Sequence, residues 1–333
     1  MSDAIEMAAP PWIGAQTEKL LTQQGHAWLL HGPSGLGQYR LALELAKAWL
    51  CESPSASGAC GQCPSCHAIA VRTHADLCVL MPETTMLELA WPLSEKAQAE
   101  IDDKKRKPSR EIRVDAMRDA IEFSQRTSAR GRGKVVLVYP AEQMNAITAN
   151  ALLKTLEEPP GDVRFVLATE SSHQLLPTIR SRCLGHAMVW PSLAAAQQWL
   201  VGQGLEAGQA ARYLQAAGGR PDDVLALQAS GRKAEDWARF PAAMASGDTS
   251  FVRDWSAVQL VDALQKLCHD ALCANQGAQP RFFDYQRGKH APGLASLSQW
   301  SVALQKCRKT MEHPFNAGLM QEALVEQART ALN

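Results

Sequence analysis

Two groups of residues in this chain have types and spacings that could do chemistry. The first is Gly32-Pro33-Ser34-Gly35-Leu36-Gly37, followed by Gln38 and Tyr39. A turn of the form G-x-x-x-x-G between a strand and a helix cradles phosphate with backbone N–H groups and normally continues with Lys and Ser/Thr. The lysine reaches the β- and γ-phosphates, and the hydroxyl holds Mg²⁺. Gln38 brings no charge here. The Tyr39 hydroxyl lies about 6 Å from its own Cα, too far out to replace a serine in the same backbone pose. The N–H nest keeps its capacity for an anion, so Gly32, Gly35 and Gly37 are expected to keep the loop while its catalysis, and ATP hydrolysis with it, is lost.

The second group is Cys51, Cys60, Cys63 and Cys66, separated by eight, two and two residues. Gly58, Gly61, Pro54 and Pro64 lie among them and allow tight turns that aim several sulfurs at one point. Four thiolates suit tetrahedral Zn²⁺, and a closed four-sulfur site is structural because no position is left for water. His67 adjoins Cys66 and is expected to be a bystander. A redox C-x-x-C reading is weaker, since Cys63 and Cys66 lack a βαβ context.

These residues need elements to position them. Ala27 to Leu30 is an apolar run that predicts a buried strand, and Arg40 to Leu50 predicts the helix after the loop. A short helix is expected around Gln16 to Gln24, and a second strand within residues 74–82, where Cys78 is expected to pack as a small apolar residue. Residues 83–110 read as an irregular insertion with one helix near Ser94 to Ile101. Helical periodicity returns over 111–129. Lys134 to Val138 is a clear buried strand. In an active phosphate-loop enzyme such a strand ends in Asp-Glu, for Mg²⁺ and the attacking water; here Tyr139 and Pro140 follow, with Glu142 two residues on. Two motifs, each in the right element and each missing its chemical groups, make a chance match a poor explanation.

The chain has 333 residues, and its 34 Lys+Arg balance 34 Asp+Glu to a net charge of zero. That length fits two or three domains, and the neutral balance argues against a general basic footprint for nucleic acid. The run Lys104-Lys105-Arg106-Lys107 reads as a solvated loop. No stretch approaches the roughly 20 apolar residues of a membrane span, and the acidic, run-free N-terminus predicts no signal peptide. A cytoplasmic protein is expected. Its nine cysteines are then thiols and metal ligands rather than a disulfide framework.

Further on come the helix Asn150 to Pro160, with sequence NALLKTLEEPP, the strand Arg164 to Thr169, and then Ser181-Arg182-Cys183. Together with the cysteine module after the phosphate-loop helix, these residues resemble the bacterial clamp-loader subunits of the AAA+ family. The similarity is sharp over about 26–185 and elsewhere rests on length and helical character. It implies an α/β, AAA+ P-loop NTPase-like parallel-sheet domain over 1–188 with a zinc module at 51–66. A small helical lid over 189–231 and an all-helical collar for oligomerisation over 232–333 complete the expected domains. The defective loop and strand end resemble a non-catalytic member that helps load the sliding clamp onto primed DNA. The resemblance implies gamma/tau and delta subunits as partners in a hetero-pentamer, with the clamp and primer-template DNA met through the complex. Arg182 would act in trans on a neighbour's ATP as an arginine finger, a role suited to a bidentate, always-charged group. Without the resemblance, an ordinary ion pair is the plainer reading of Arg182.

Thr169 would fall at the sensor-1 position beside an empty nucleotide site and is given no catalytic role. Arg220 lies near the sensor-2 place, but Pro221 leaves the register open and no role is carried over. Helices are expected at Ala194 to Leu200, at Ala207 to Ala217 and from Arg220 onward. In the C-terminal third, Leu and Trp at helical spacing predict a helical core with a loop over 277–292. His313 to Asn316 resembles a turn before the last collar helix. Two rivals remain. One is a gamma/tau-like active ATPase using Glu142 and Arg40 as displaced groups. The other is a zinc-dependent nucleic-acid-binding module on a decayed scaffold.

Overall fold

A computed structural model describes residues 9–285, 292–310 and 317–333. The chain divides between Pro191 and Ser192 into two compact units. In the first, chain order runs α1 (Pro11–Leu21), β1 (Ala27–His31), α2 (Gln38–Leu50), α3 (Pro64–Ala70), β2 (Leu77–Leu80), α4 (Glu83–Glu88) and α5 (Glu95–Asp102). It continues with α6 (Val114–Gln125), β3 (Lys134–Val138), α7 (Ala146–Glu157), β4 (Val163–Thr169), α8 (Pro177–Arg180) and β5 (Leu184–Ala187). The five strands form one parallel sheet in the order β2-β3-β4-β1-β5.

A parallel sheet is covered on both faces, so its strands read as continuous apolar runs. Lys-Val-Val-Leu-Val of β3 is buried throughout. Alternation along the strands then sorts the side chains. Val136, Val138, Phe165, Leu167 and Leu29 face one core with Met117 and Ala120 of α6 and Leu152 of α7. Leu137, Val166, Ala168, Trp28 and Leu30 face the other with Ile13 of α1 and Leu41 and Leu45 of α2.

The expected elements occur, with shifted ends. The N-terminal helix begins at Pro11, whose missing N–H is no loss in a first turn, and stops at Leu21. The helix of the NALLKTLEEPP run starts earlier, at Ala146, because Asn145 caps it by accepting from the Thr148 N–H at 2.9 Å. Residues 83–110 hold two helices rather than one. Ser94 caps the expected one, and α4 follows Pro82. What organises this insertion is Glu83. It pairs with the Arg106 guanidinium, with Nη2 at 2.7 Å from Oε1, and accepts the Ser109 N–H at 2.8 Å. Arg106 also reaches Glu100 at 2.7 Å, so the middle of the basic run is an internal strut.

The second unit is helical: α9 (Leu193–Gly202), α10 (Ala207–Ala216), α11 (Pro221–Ala229), α12 (Ala234–Ser246), α13 (Ala257–Asn275), α14 (Leu294–Thr310) and α15 (Ala317–Leu332). Its centre is aromatic. Phe240 stacks on Trp255 with centroids 5.2 Å apart and on Phe283 at 5.5 Å. Ser256 and Gln259 form a capping box at the start of α13. The buried Asp270 carboxylate accepts the N–H groups of Arg281, Phe282 and Phe283 at 2.7–2.8 Å and fixes the described start of the expected loop. His313 to Asn316 lie outside the described residues.

Candidate functional site: a stapled phosphate loop, a four-cysteine centre and a surface arginine

The glycine-rich turn leaves β1 and enters α2 as expected. Gly35 and Gly37 have φ of 76° and 89°, a region that only glycine occupies without strain, and Gly37 caps α2. Gln38 is buried, and its amide Nε2 donates to the carbonyl oxygens of Gly32 at 2.9 Å and Pro33 at 2.7 Å. The residue in the lysine position is therefore turned back on the loop's own backbone. A lysine there would carry a positive charge outward to phosphate; this amide staples the loop shut. Gly32 is also pressed against the chain after β5. A Cβ there would meet Met188 Cβ at 2.9 Å.

Tyr39 stands in the chain where an active loop carries the Mg²⁺-ligand serine or threonine, and its ring lies 5.4 Å from that of Tyr139, the residue after β3. Its hydroxyl accepts the Trp91 indole N–H at 2.6 Å. Burial raises the Tyr39 pKa, so the phenol stays neutral. The Tyr139 hydroxyl donates to Glu170 at 3.1 Å. Glu142 is fully engaged: Oε2 accepts from the Thr169 hydroxyl at 2.7 Å and Oε1 from the Glu170 N–H at 3.0 Å. Both oxygens that a displaced base would need are satisfied internally. Sequence reasoning missed Trp91, which sits 52 residues from Tyr39 and carries no local signal.

The four cysteines come together. All four sulfurs lie within 4.8 Å of one another. Cys51 and Cys63 sulfurs are 3.8 Å apart, and Cys60 and Cys66 sulfurs 4.0 Å. The edge of a tetrahedron with Zn–S bonds of ~2.3 Å is about 3.8 Å, so the residues fit the ion. The backbone also supplies what thiolates need. Cys60 N–H donates to Cys51 Sγ at 3.3 Å, Cys63 N–H to Cys60 Sγ and Cys66 N–H to Cys63 Sγ, each at 3.4 Å. Burial works to raise the Cys63 thiol. The N–H groups of Cys66 and Glu52 and the neighbouring thiols outweigh it and bring the pKa to about 6. His67 is exposed and outside the cluster.

The centre is tied to the sheet. Glu52 Oε1 accepts from the Ser65 hydroxyl at 2.8 Å and the Arg130 guanidinium at 2.9 Å. Asp76, with no exposed surface, holds the same 128–134 segment. It accepts from Ala129 N at 2.7 Å, Arg130 N at 2.9 Å, the Ser128 hydroxyl at 3.0 Å and Lys134 Nζ at 3.3 Å. Burial pushes the Asp76 carboxyl up, but these donors prevail and hold its pKa below the usual carboxylate range.

Arg182 follows α8 at the surface. Its Nε donates to Glu157 Oε1 at 2.6 Å, Nη2 contacts the same oxygen, and Nη1 donates to the Thr178 carbonyl at 2.8 Å. The ordinary ion pair is therefore present within the chain. It is also open to solvent, with 29% and 48% of the two side chains exposed, and pairs of that kind hold by only ~0–1 kcal/mol. Arg220 donates to the Ala217 carbonyl at 3.0 Å and pairs with Asp223 at 2.8 Å at the start of α11.

A five-stranded parallel sheet in which the first strand lies between the fourth and fifth, with a phosphate-type loop at the tip of that first strand, defines a AAA+-type domain. The family profile described as "DNA polymerase III, delta subunit" matches residues 16–188, and the chain belongs to that family. It is 43% identical to DNA polymerase III subunit delta' of Pseudomonas aeruginosa over 192 residues, 57% of this chain and 52% of that relative. It is 32% identical to DNA polymerase III subunit delta' of Escherichia coli over 279 residues, 77% of this chain and 76% of that relative. Over 159 residues, 48% of this chain and 21% of the relative, it is 36% identical to DNA polymerase III subunit tau of Escherichia coli. The match thus spans about half the length of the Pseudomonas relative. Among the described residues, no helix is long and apolar enough to cross a membrane.

Proposed function

We propose that this chain is the non-catalytic subunit of a cytoplasmic bacterial clamp loader, standing with gamma/tau and delta subunits in a hetero-pentamer that loads the sliding clamp onto primed DNA. The observation that carries the reading is Gln38 bonded to the carbonyls of Gly32 and Pro33. A loop closed by its own amide offers no cation from the lysine position to the β- and γ-phosphates, and Tyr39, in place of the Mg²⁺-ligand hydroxyl, packs against Tyr139. With no ligand favouring one lid position over another, the domain has no nucleotide-driven change of state. It serves as a rigid stator.

In this reading Cys51, Cys60, Cys63 and Cys66 hold a structural Zn²⁺, which clamps the module after α2. Residues 189–231 serve as the lid and 232–333 as the collar. Arg182 meets the γ-phosphate on a neighbouring subunit, where its charge stabilises the transition state. The test is ATP hydrolysis by the complex with gamma/tau, delta, clamp and primed DNA, comparing wild type with Arg182→Ala in this chain alone. Turnover should fall while assembly is unchanged, and the isolated chain should hydrolyse no ATP. Unchanged turnover with Arg182→Ala would make Arg182 structural and move this chain's contribution to assembly or clamp contacts; ATP hydrolysis by the lone chain, lost with Glu142→Gln, would replace this reading with the active-enzyme one.

A further inference from the structure

We propose that Glu157 is a positioning residue for Arg182, holding the guanidinium in the pose from which it meets a neighbour's phosphate; the inference rests on the finger reading above. Glu157 is the last residue of α7, and Glu158 follows as its cap. The helix macrodipole disfavours a carboxylate at that end. Glu157 is placed against local electrostatics and is compensated by a cation 25 residues away in the chain. The arginine it holds is the one that the finger reading singles out.

The geometry suits a holder rather than a blocker. Glu157 engages Nε and Nη2 through a single oxygen, and the Thr178 carbonyl takes Nη1. These contacts use three of the five N–H bonds a guanidinium carries. The remaining contact, Nη1 to the Ser181 hydroxyl, is 3.4 Å long, close to the limit for a hydrogen bond. Two anchors on separate elements, the end of α7 and the turn of α8, fix the plane of the group while leaving it capacity for a further acceptor. Pro159 and Pro160 directly after Glu158 restrict the backbone that carries the anchor. A freely rotating arginine would have to be ordered at the moment of reaction. A pre-ordered one is available to developing charge at lower entropic cost.

An effect exerted through orientation belongs in kcat rather than in substrate binding. In the complex with gamma/tau, delta, clamp and primed DNA, Glu157→Gln should lower kcat for ATP hydrolysis about three- to ten-fold with the KM for ATP within about two-fold. Glu157→Asp, which keeps the charge on a shorter arm, should lie between. In an Arg182→Ala background, Glu157→Gln should change nothing further. Gel filtration checks that each complex assembles, and the isosteric exchange at an exposed site keeps folding out of the comparison. If Arg182→Ala lowers turnover and Glu157→Gln does not, the finger stands and the positioning role is overturned. The positioning role is overturned as well if Glu157→Gln lowers turnover equally in both backgrounds. If Arg182→Ala itself has no effect, the finger reading fails and takes this inference with it.

Discussion

The Trp91 indole N–H donates to the Tyr39 hydroxyl at 2.6 Å and joins the insertion between β2 and α6 to the first turn of α2. Neither residue has this contact by virtue of sequence proximity. The bond anchors the side chain that stands in the Mg²⁺-ligand position, and Arg72 lies over the indole face at 5.4 Å. Removing either partner should therefore loosen the altered loop from outside it. Trp91→Phe and Tyr39→Phe should each lower the unfolding free energy by about 0.5–1.5 kcal/mol. The double variant should cost less than their sum, because the same bond is lost in both. Urea unfolding of the four proteins gives the coupling directly, and strict additivity would show that the contact contributes nothing.

Restoring one residue should not restore the reaction. Gln38→Lys removes the staple on Gly32 and Pro33 and supplies the missing cation, but Tyr39, Tyr139 and the engaged Glu142 remain. The variant is expected to gain weak phosphate or ATP affinity and no turnover. Binding by calorimetry and phosphate release by the isolated chain separate the two; hydrolysis by this single variant would mean that the aromatic pair is no obstacle.

Metal removal should act locally. Chelation, or Cys63→Ser, is expected to take bound zinc from one ion per chain to none and to lower the melting temperature by several degrees. That follows because metal-binding free energy is largely folding free energy for a small module. Hydrogen exchange should rise first over 51–66 and then over 128–134, the segment that Glu52 holds through Arg130. Metal content unchanged in the variant would place the ion elsewhere.

Asp76→Ala strips a buried acceptor from Ala129, Arg130, Ser128 and Lys134. Lys134 is left as a buried ammonium without its carboxylate, over the Phe123 ring at 4.0 Å. Breaking a buried pair in this way costs about 3–5 kcal/mol. Thermal melting should show this as one of the largest single losses in the first unit, and a loss below about 1 kcal/mol would mean that the site behaves like a surface pair.

Acid should weaken the insertion through Glu83. The Arg106 guanidinium, ahead of the opposing effect of burial, holds the Glu83 pKa below its ordinary value of 4.5. A carboxyl depressed on folding contributes stability that is full above its unfolded pKa and fades as pH falls through the folded one. The difference in stability between wild type and Glu83→Gln should be constant near neutrality and shrink steadily below about pH 4.5. Denaturant melts at several pH values measure it; a difference that persists at pH 2 would assign the effect to packing.

What the sequence made legible was local. The apolar runs of β1, β3 and β4, the glycine-rich turn and the cysteine spacing each announce themselves within 16 residues or fewer. The structure places each of them as expected. What was not legible depends on partners far along the chain. Gln38 was readable as a missing charge but not as a staple, since its acceptors depend on the turn's conformation. Trp91, Glu83 and Asp76 gave no signal because their partners lie between 20 and 60 residues away in sequence. The edge strand β5 gave none either. Its Leu-Gly-His-Ala is mostly exposed and lacks the apolar run that marks its neighbours.

The sheet order has a consequence for how the protein is made. Among the five strands of the sheet β1 is synthesised first, yet its two neighbours are β4 and β5, whose last residues are Thr169 and Ala187. Ala27 to Leu30 therefore waits through the synthesis of most of the first unit before either edge is paired. Parallel pairings across such separations form slowly and leave apolar segments open to misassociation. Truncations ending before residue 187 should therefore be far less soluble than those ending after it.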